Sequence, residues 1–407
     1  MRSLEEITPL CESREAPDSA AGAPGVRAVG LMTLGHYVTD IYPGFIAPLL
    51  PLFIDRFGIS LTLAGAIGTI LSLSTSVSQF GFGWLADRIG RRFFIVMGPL
   101  MACVFLSFAP LSSSYSQLVI LAALGGFGVA AFHPSAASVT GAFARGRKSL
   151  AVSIFAAAGA LGFATGPFLI IWVISAFGLN RSYLAMIPGL VTVGIIALWA
   201  PKPPASTPKE RRGTSPIGDR WRLLFMLWFV AVIRAAVITG FENFIPIVVR
   251  DRGGTLMSGG AAFALFLLCG SLGGIAGGYL SDRVDPRRIL LFSSLAPVPL
   301  LISFLKLDAP LNLICLGLAG AFAFAAVPVT IVMAQESVPG RTSTTSSIVM
   351  GLAWGIGGTA AAAVGFLADF VGVTTALLIL AIFSVVSAPC VPFLPGSKAK
   401  SGAVPAP

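Results

Sequence analysis

The chain has 407 residues, of which 56% are hydrophobic and only 11% charged, with a mean hydropathy of +0.89. A soluble domain carries about 25% charged residues, so this composition excludes an ordinary soluble enzyme and points to a chain that crosses a bilayer repeatedly. The net charge of +10 is not the footprint of nucleic-acid binding, because Lys and Arg are spread over short segments between apolar runs.

The first 27 residues are rich in Ala, Pro, Ser and Glu and lack the charged-then-apolar layout of a cleavable signal. They are read as a disordered cytoplasmic tail. Apolar runs of roughly 20 residues or more then recur, the length a helix needs to cross hydrocarbon. They predict twelve spans at 28–54, 60–86, 92–111, 115–142, 148–176, 182–200, 222–249, 258–281, 288–306, 310–335, 342–369 and 373–394. The polar stretch PKPPASTPKERRGTSPIGDR at 201–220 has the composition of a linker, and the cytoplasmic linker is set at 201–221. It divides a six-helix bundle at 28–200 from a second at 222–395, with a cytoplasmic tail at 396–407.

Of the 27 Lys and Arg, 21 fall in the tails, the linker and alternate short loops, among them Arg88, Arg91 and Arg92, then Arg145, Arg147 and Lys148. Five (Arg56, Arg181, Arg250, Arg252 and Lys306) fall in the remaining loops, and Arg234 lies within a span. The positive-inside rule therefore predicts that both termini are cytoplasmic.

In the first span GHYVTD sets His36 and Asp40 four residues apart on one helix face near mid-bilayer. An ionisable group there costs at least about 2.5 kcal/mol by insertion scales, so it normally lines a cavity or marks a proton path. Asp40 is expected to take up and release a coupling proton. His36, one turn nearer the cytoplasm, shares that proton, is held by the carboxylate, or joins it as a metal ligand. In span four His133 precedes Pro134, which predicts a kink with a hydrogen bond to a neighbouring span, or a substrate contact. Arg234, about twelve residues into span seven, keeps its charge and must face a partner or an anionic ligand; Asp40 across the cavity is a candidate partner. Glu242 is eight residues further on, about 12 Å along the axis and too far to pair with Arg234. Both are expected to line the substrate or proton pathway.

The halves repeat. GWLADRIGRR at 83–92 answers GYLSDRVDPRR at 278–288, with Asp87 and Asp282 offset by 195. HPSAASVTGAFARGR at 133–147 answers VPVTIVMAQESVPGR at 327–341, offset by 194. Two parallel six-span repeats are the layout of a transporter whose bundles rock about a midplane site.

GWLADRIGRR resembles the loop signature G-x-L-x-D-R-x-G-R-R of the major facilitator superfamily. The resemblance implies a conformational latch formed by Gly83, Asp87, Arg88, Gly90 and Arg91, with a degraded copy at Asp282 and Arg283. Gly83 would permit close helix approach, and Asp87 can face a neighbouring helix N-terminus, whose partial charge favours an anion. In GALGFATGP, Gly162, Gly166 and Pro167 resemble a motif of the antiporter branch, though small residues at this spacing also make an ordinary packing face. HYVTD, FHPSAASV, GLAWGIGG and AQESVPGR together resemble the fosmidomycin-resistance group of exporters, over nearly the whole chain after the tail. Two positions depart from that group. Ser135 stands where an acidic residue usually follows the His-Pro pair, and Glu242 has no counterpart.

The expectation is an all-α membrane protein of twelve transmembrane helices in two pseudo-symmetric six-helix bundles, the major facilitator fold. As implied by the resemblance, it is a proton-coupled exporter of a small anionic or amphipathic compound, as in fosmidomycin efflux. It would work by alternating access as a monomer in a bacterial inner membrane, its partners being substrate, protons and lipid. No P-loop, HExxH, paired CxxC or nucleophile–base set occurs, so neither a cofactor nor an enzymatic activity is expected. The five cysteines show no disulfide or zinc spacing. Two alternatives stand beside this reading. One is export of a divalent metal or metal chelate, with His36, Asp40 and Glu242 as candidate ligands. The other is a non-transporting membrane scaffold or sensor.

Overall fold

The computed structural model describes residues 22–144, 148–200, 220–338 and 342–396. Most of the first tail, nearly all of the linker and of the last tail, and Arg145, Arg147 and Arg341 lie outside the described residues. Among the described residues every regular element is helical, and twelve helical spans are long and apolar enough to cross a membrane. They are span 1 (Gly25–Phe57), span 2 (Leu61–Ile89), span 3 (Arg91–Leu111), span 4 (Tyr115–Phe143), span 5 (Ala151–Phe177) and span 6 (Leu179–Trp199). The second set is span 7 (Trp221–Asp251), span 8 (Leu256–Ser281), span 9 (Pro286–Lys306), span 10 (Leu311–Ser337), span 11 (Thr345–Val371) and span 12 (Val373–Phe393). Each overlaps its predicted run. The first helix begins at Gly22, six residues before the predicted start.

Local chemistry sets where these helices begin and stop. Ser60, Ser114 and Thr255 cap spans 2, 4 and 8, each side chain accepting from a backbone N–H three residues on, which satisfies a donor the first turn leaves open. Span 1 ends at Gly58, whose φ of +58° is left-handed and suits glycine. Large apolar side chains such as Leu272, Ile275, Phe366 and Phe370 are exposed, the inversion expected where lipid is the solvent.

Span 1 is not one continuous α-helix. It runs helically from Gly22 to Ile41, passes through a 3₁₀ turn at Pro43–Phe45, and resumes at Ile46. The proline removes a backbone donor. Such irregular backbone is tolerated at membrane depth only where protein buries it or it lines a cavity. Asp40 sits in the last turn before this break.

An even number of spans puts both chain ends on one face, here termed the terminal face, and the other is the distal face. On the distal side the halves are sealed together. Gly65 of span 2 lies against the backbone of Ala361 in span 11, and Gly260 of span 8 lies against Pro167 and Ile171 of span 5. Phe45, Phe53, Phe241, Phe244, Phe263 and Phe266 belong to one buried cluster that runs through this seam. Toward the terminal face the contacts thin out. Spans 4 and 10 there pack chiefly on members of their own half. The molecule is thus closed at the distal face and opens toward the terminal one.

Candidate functional site

The deepest polar cluster joins spans 1, 4 and 5. Asp40 Oδ2 lies 3.2 Å from His36 Nε2, and Asp40 Oδ1 lies 3.0 Å from His133 Nε2. His36 is buried, and Asp40 and His133 are largely so. The His36 ring stacks on Phe155 of span 5 with centroids 4.0 Å apart and meets His133 edge-on at 4.8 Å. Span 4 contains Pro134 within its helix, one residue after His133.

The decisive contact is on the other side of the His36 ring, where Nδ1 lies 2.6 Å from the carbonyl oxygen of Phe155. A carbonyl only accepts, so Nδ1 carries a hydrogen and donates it. In neutral imidazole the remaining nitrogen, Nε2, would then be a bare acceptor facing an acceptor-only carboxylate at 3.2 Å. A proton must lie between them, on the imidazole or on the carboxyl. His133 meets the other carboxylate oxygen by the same rule, as an N–H donor when Asp40 is ionised. In this arrangement the cluster holds one proton more than two neutral imidazoles and a carboxylate would. A carboxylate at a helix C-terminus faces the unfavourable end of the dipole, which makes those partners necessary.

Span 5 comes close enough because it presents small residues to span 1. A Cβ at Gly162 would collide with the carbonyl of Tyr37, and one at Gly166 with the carbonyl of Ile41. A Cβ at Gly159 would press on the His36 ring and lie 2.7 Å from Asp40 Oδ2. Gly159 was not singled out from the sequence, and neither was Phe155. A glycine that only makes room and a backbone carbonyl that accepts a hydrogen bond leave no chemical signature in a sequence. The quoted run GALGFATGP, which begins at Gly159, was the available signal.

Arg234 stands in the other half. Its Nη1 donates to Thr330 Oγ1 of span 10 at 3.1 Å, and it makes no ion pair among the described residues. It does not pair with Asp40. The two are 194 residues apart, the spacing that relates Pro134 to Pro328, so they occupy equivalent places in the two repeats. In each half a charged residue of the first span is tied to the fourth. Glu242 is buried, joins neither group, and forms no hydrogen bond or ion pair among the described residues. Ser135 is buried with its hydroxyl unpartnered.

One group of three possible metal ligands occurs among the described residues, His36, Asp40 and His133, whose ligand atoms lie within 4.8 Å of one another. Glu242 is not part of it. His36 also has the orientation common in metal-binding histidines, with the second ring nitrogen donating to a carbonyl.

At the terminal face Asp87 pairs with Arg91 at 2.9 Å, and Arg91 also donates to Ser138 of span 4. The Arg88 guanidinium lies 3.8 Å from the Trp84 ring centroid, and Arg283 lies 3.6 Å from that of Tyr279. Asp282 is exposed. Gly90 has φ of +115°, which only glycine adopts readily. Close approach does not explain Gly83 in this state, since a Cβ there would sit 3.7 Å from Pro134, an ordinary contact. At the distal face Asp369 of span 11, which the sequence did not bring forward, accepts from the backbone N–H groups of Leu61 and Thr62 at 2.7 and 3.0 Å and from the Thr62 hydroxyl.

Known proteins resemble this chain along most of its length. The fosmidomycin resistance protein of Escherichia coli (strain K12) is 25% identical over 416 residues, spanning 98% of this chain and all of that one. An uncharacterized MFS-type transporter, YfnC of Bacillus subtilis (strain 168), is 27% identical over 364 residues, 86% of this chain and 88% of that one. The fold matches a bacterial homolog of the human lysosomal transporter Spinster, solved inward-facing and occupied, with a TM-score of 0.79 at 16% identity, covering 93% and 97% of the two chains. The sequence profile of the Major Facilitator Superfamily matches residues 32–362, and the chain belongs to that family of transporters.

Proposed function

We propose that this protein is a proton-coupled exporter of small amphipathic compounds with an anionic end, fosmidomycin-like phosphonates among them, in a bacterial inner membrane. The observation that carries the reading is the His36–Asp40 contact, which holds an exchangeable proton because Nδ1 of His36 is already committed to Phe155. The excess of Lys and Arg places the terminal face in the cytoplasm, so this state opens inward. Arg234, with no carboxylate partner among the described residues, supplies the attraction for the anionic end of a ligand. A ligand whose other end donates an N–H or O–H to Asp40 takes the place of the proton. Substrate and proton then exclude one another, and that exclusion is what exchange across the membrane requires. Inward flow of each proton across 100 mV supplies about 2.3 kcal/mol, enough to sustain a substrate gradient of roughly fiftyfold.

The test is fosmidomycin accumulation in an efflux-deficient bacterium carrying the wild-type chain or Asp40→Asn. The wild type is expected to lower accumulation, and the variant to leave it at the level of cells lacking the protein. Equal accumulation in all three strains would remove the substrate. Full export by Asp40→Asn would remove the coupling role of the carboxylate.

The trio of ligand atoms favours a second reading, in which the cargo is a divalent metal or its chelate and His133 takes the place expected for Glu242. Zinc binding by the purified protein that is lost in His36→Ala and His133→Ala, together with zinc efflux from cells, would establish it.

A further inference from the structure

Among the described residues Glu242 is the only acidic residue that is buried, at 7% exposure, and the His36–Asp40 chemistry makes no use of it. Its neighbours place it in the seam between the halves. The side chain of Asn243, the next residue, packs on Gly68 of span 2, and Phe241 and Phe244 on either side are completely buried. Thr239, one turn away, donates to the carbonyl of Gly357 in span 11. Opening the distal face must draw span 2 away from span 7 and let more water reach this carboxyl.

Among the described residues no other charge compensates Glu242. The ionisable side chains on the helical segments packed against span 7 are Asp55 and Arg56 of the Ile46–Phe57 part of span 1, Cys269 and Tyr279 of span 8, Cys315 and Glu336 of span 10, Asp369 of span 11 and Cys390 of span 12; the Leu61–Ser76 part of span 2 has none. None of them is hydrogen-bonded or ion-paired with Glu242. On its own helix Arg234 and Arg250 are each eight residues away, about 12 Å along the axis. An ionised carboxylate buried at this depth with no partner is strongly unfavourable.

We propose that Glu242 is a second proton-bearing group of the transport cycle, and that the distal face closes only while it is protonated. Water admitted by distal opening favours ionisation, and the ionised side chain then holds the seam apart until a proton from the distal side neutralises it. An outward-facing carrier therefore closes only after Glu242 has taken back from the distal side the proton it lost there on opening. This role rests on the exporter reading above, although the gate itself can be measured without substrate.

The experiment uses the full chain in lipid nanodiscs, its five native cysteines replaced by alanine and spin labels attached at Ser113→Cys and Asp308→Cys. These are exposed distal positions in opposite halves. Distance distributions are recorded from mildly acidic to mildly alkaline pH. In the otherwise wild-type chain the long-distance, distal-open population is expected to rise with pH by up to about tenfold per pH unit, the limit for one proton. Glu242→Gln is expected to stay distal-closed throughout, while Glu242→Asp keeps the response. An unchanged response in the glutamine variant overturns the proposal. So does a wild type whose distances ignore pH, whatever the variants do and whether or not they fold. Failure of fosmidomycin export alone would leave this result standing and count against the substrate assignment instead.

Discussion

At the residue scale, the proposed function rests on a few atoms around Asp40, and not all of them belong to ionisable groups. His36 and Asp40 were legible because an ionisable pair inside an apolar run has few structural uses. His133 was legible as a buried histidine before a proline, but its partner emerged only once span 4 had packed on span 1. Gly159 was silent, since its contribution is the absence of a side chain. It therefore offers a test that changes no titratable group. In Gly159→Ala the new methyl would displace the His36 ring or the Asp40 carboxylate. Fosmidomycin export is expected to fall by at least about tenfold, in line with the penalty for misplacing reacting groups by around an ångström. Expression and melting temperature should stay near wild type. Undiminished export would show that the cluster's present geometry is not needed for transport. His133→Gln keeps a donor toward Asp40 but lacks the ring, so its export should exceed that of His133→Ala in the same assay.

At the element scale, hydropathy and punctuation revealed all twelve spans because every span must be long and apolar, whatever its neighbours. Which face of each helix meets which partner was less legible. The hydrophobic signal is nearly uniform around a helix that touches lipid on one side and protein on the other. Small residues carry that information instead, and they do so unevenly. Gly162 and Gly166 bring span 5 against the backbone of span 1, whereas Gly83 has room for a side chain. Gly162→Leu or Gly166→Leu should therefore destabilise the fold by about 1–3 kcal/mol or more, the usual cost of overpacking. Gly83→Ala should have almost no effect on stability. Thermal unfolding of the three purified variants checks the contrast. Equal melting temperatures would mean that spans 1 and 5 can part without cost.

At the scale of the whole molecule, the two faces are held by different chemistry. The repeat was readable from paired loops, and the terminal-face signature from GWLADRIGRR. In this state, however, Asp87 pairs within its own half, with Arg91. At the distal face Arg250 of span 7 pairs with Asp55 of span 1 at 3.1 Å, and a second charged link there is Asp369, a residue of the second half whose carboxylate caps the start of span 2 in the first. Asp369 sits near the end of an apolar run, where an acidic residue is unremarkable, and only the meeting of the halves gives it a partner. A carboxylate at a helix N-terminus is favoured by the dipole and by the open backbone donors. This bond exists only while the distal face is closed. Asp369→Asn removes the charge and one acceptor, so it should shift the balance toward the distal-open state by about 1 kcal/mol, roughly a fivefold change in population. Asp87→Asn breaks a contact internal to one half and should leave the closed distal state intact. If Asp87 serves as a latch in the opposite state, its loss can only shift the balance the other way. Spin-label distances at Ser113→Cys and Asp308→Cys, measured at fixed pH, separate these outcomes. Longer distances in Asp369→Asn but not in Asp87→Asn would assign the distal lock to span 11. The same distribution in both would leave the apolar seam and the Arg250–Asp55 pair to hold that face shut.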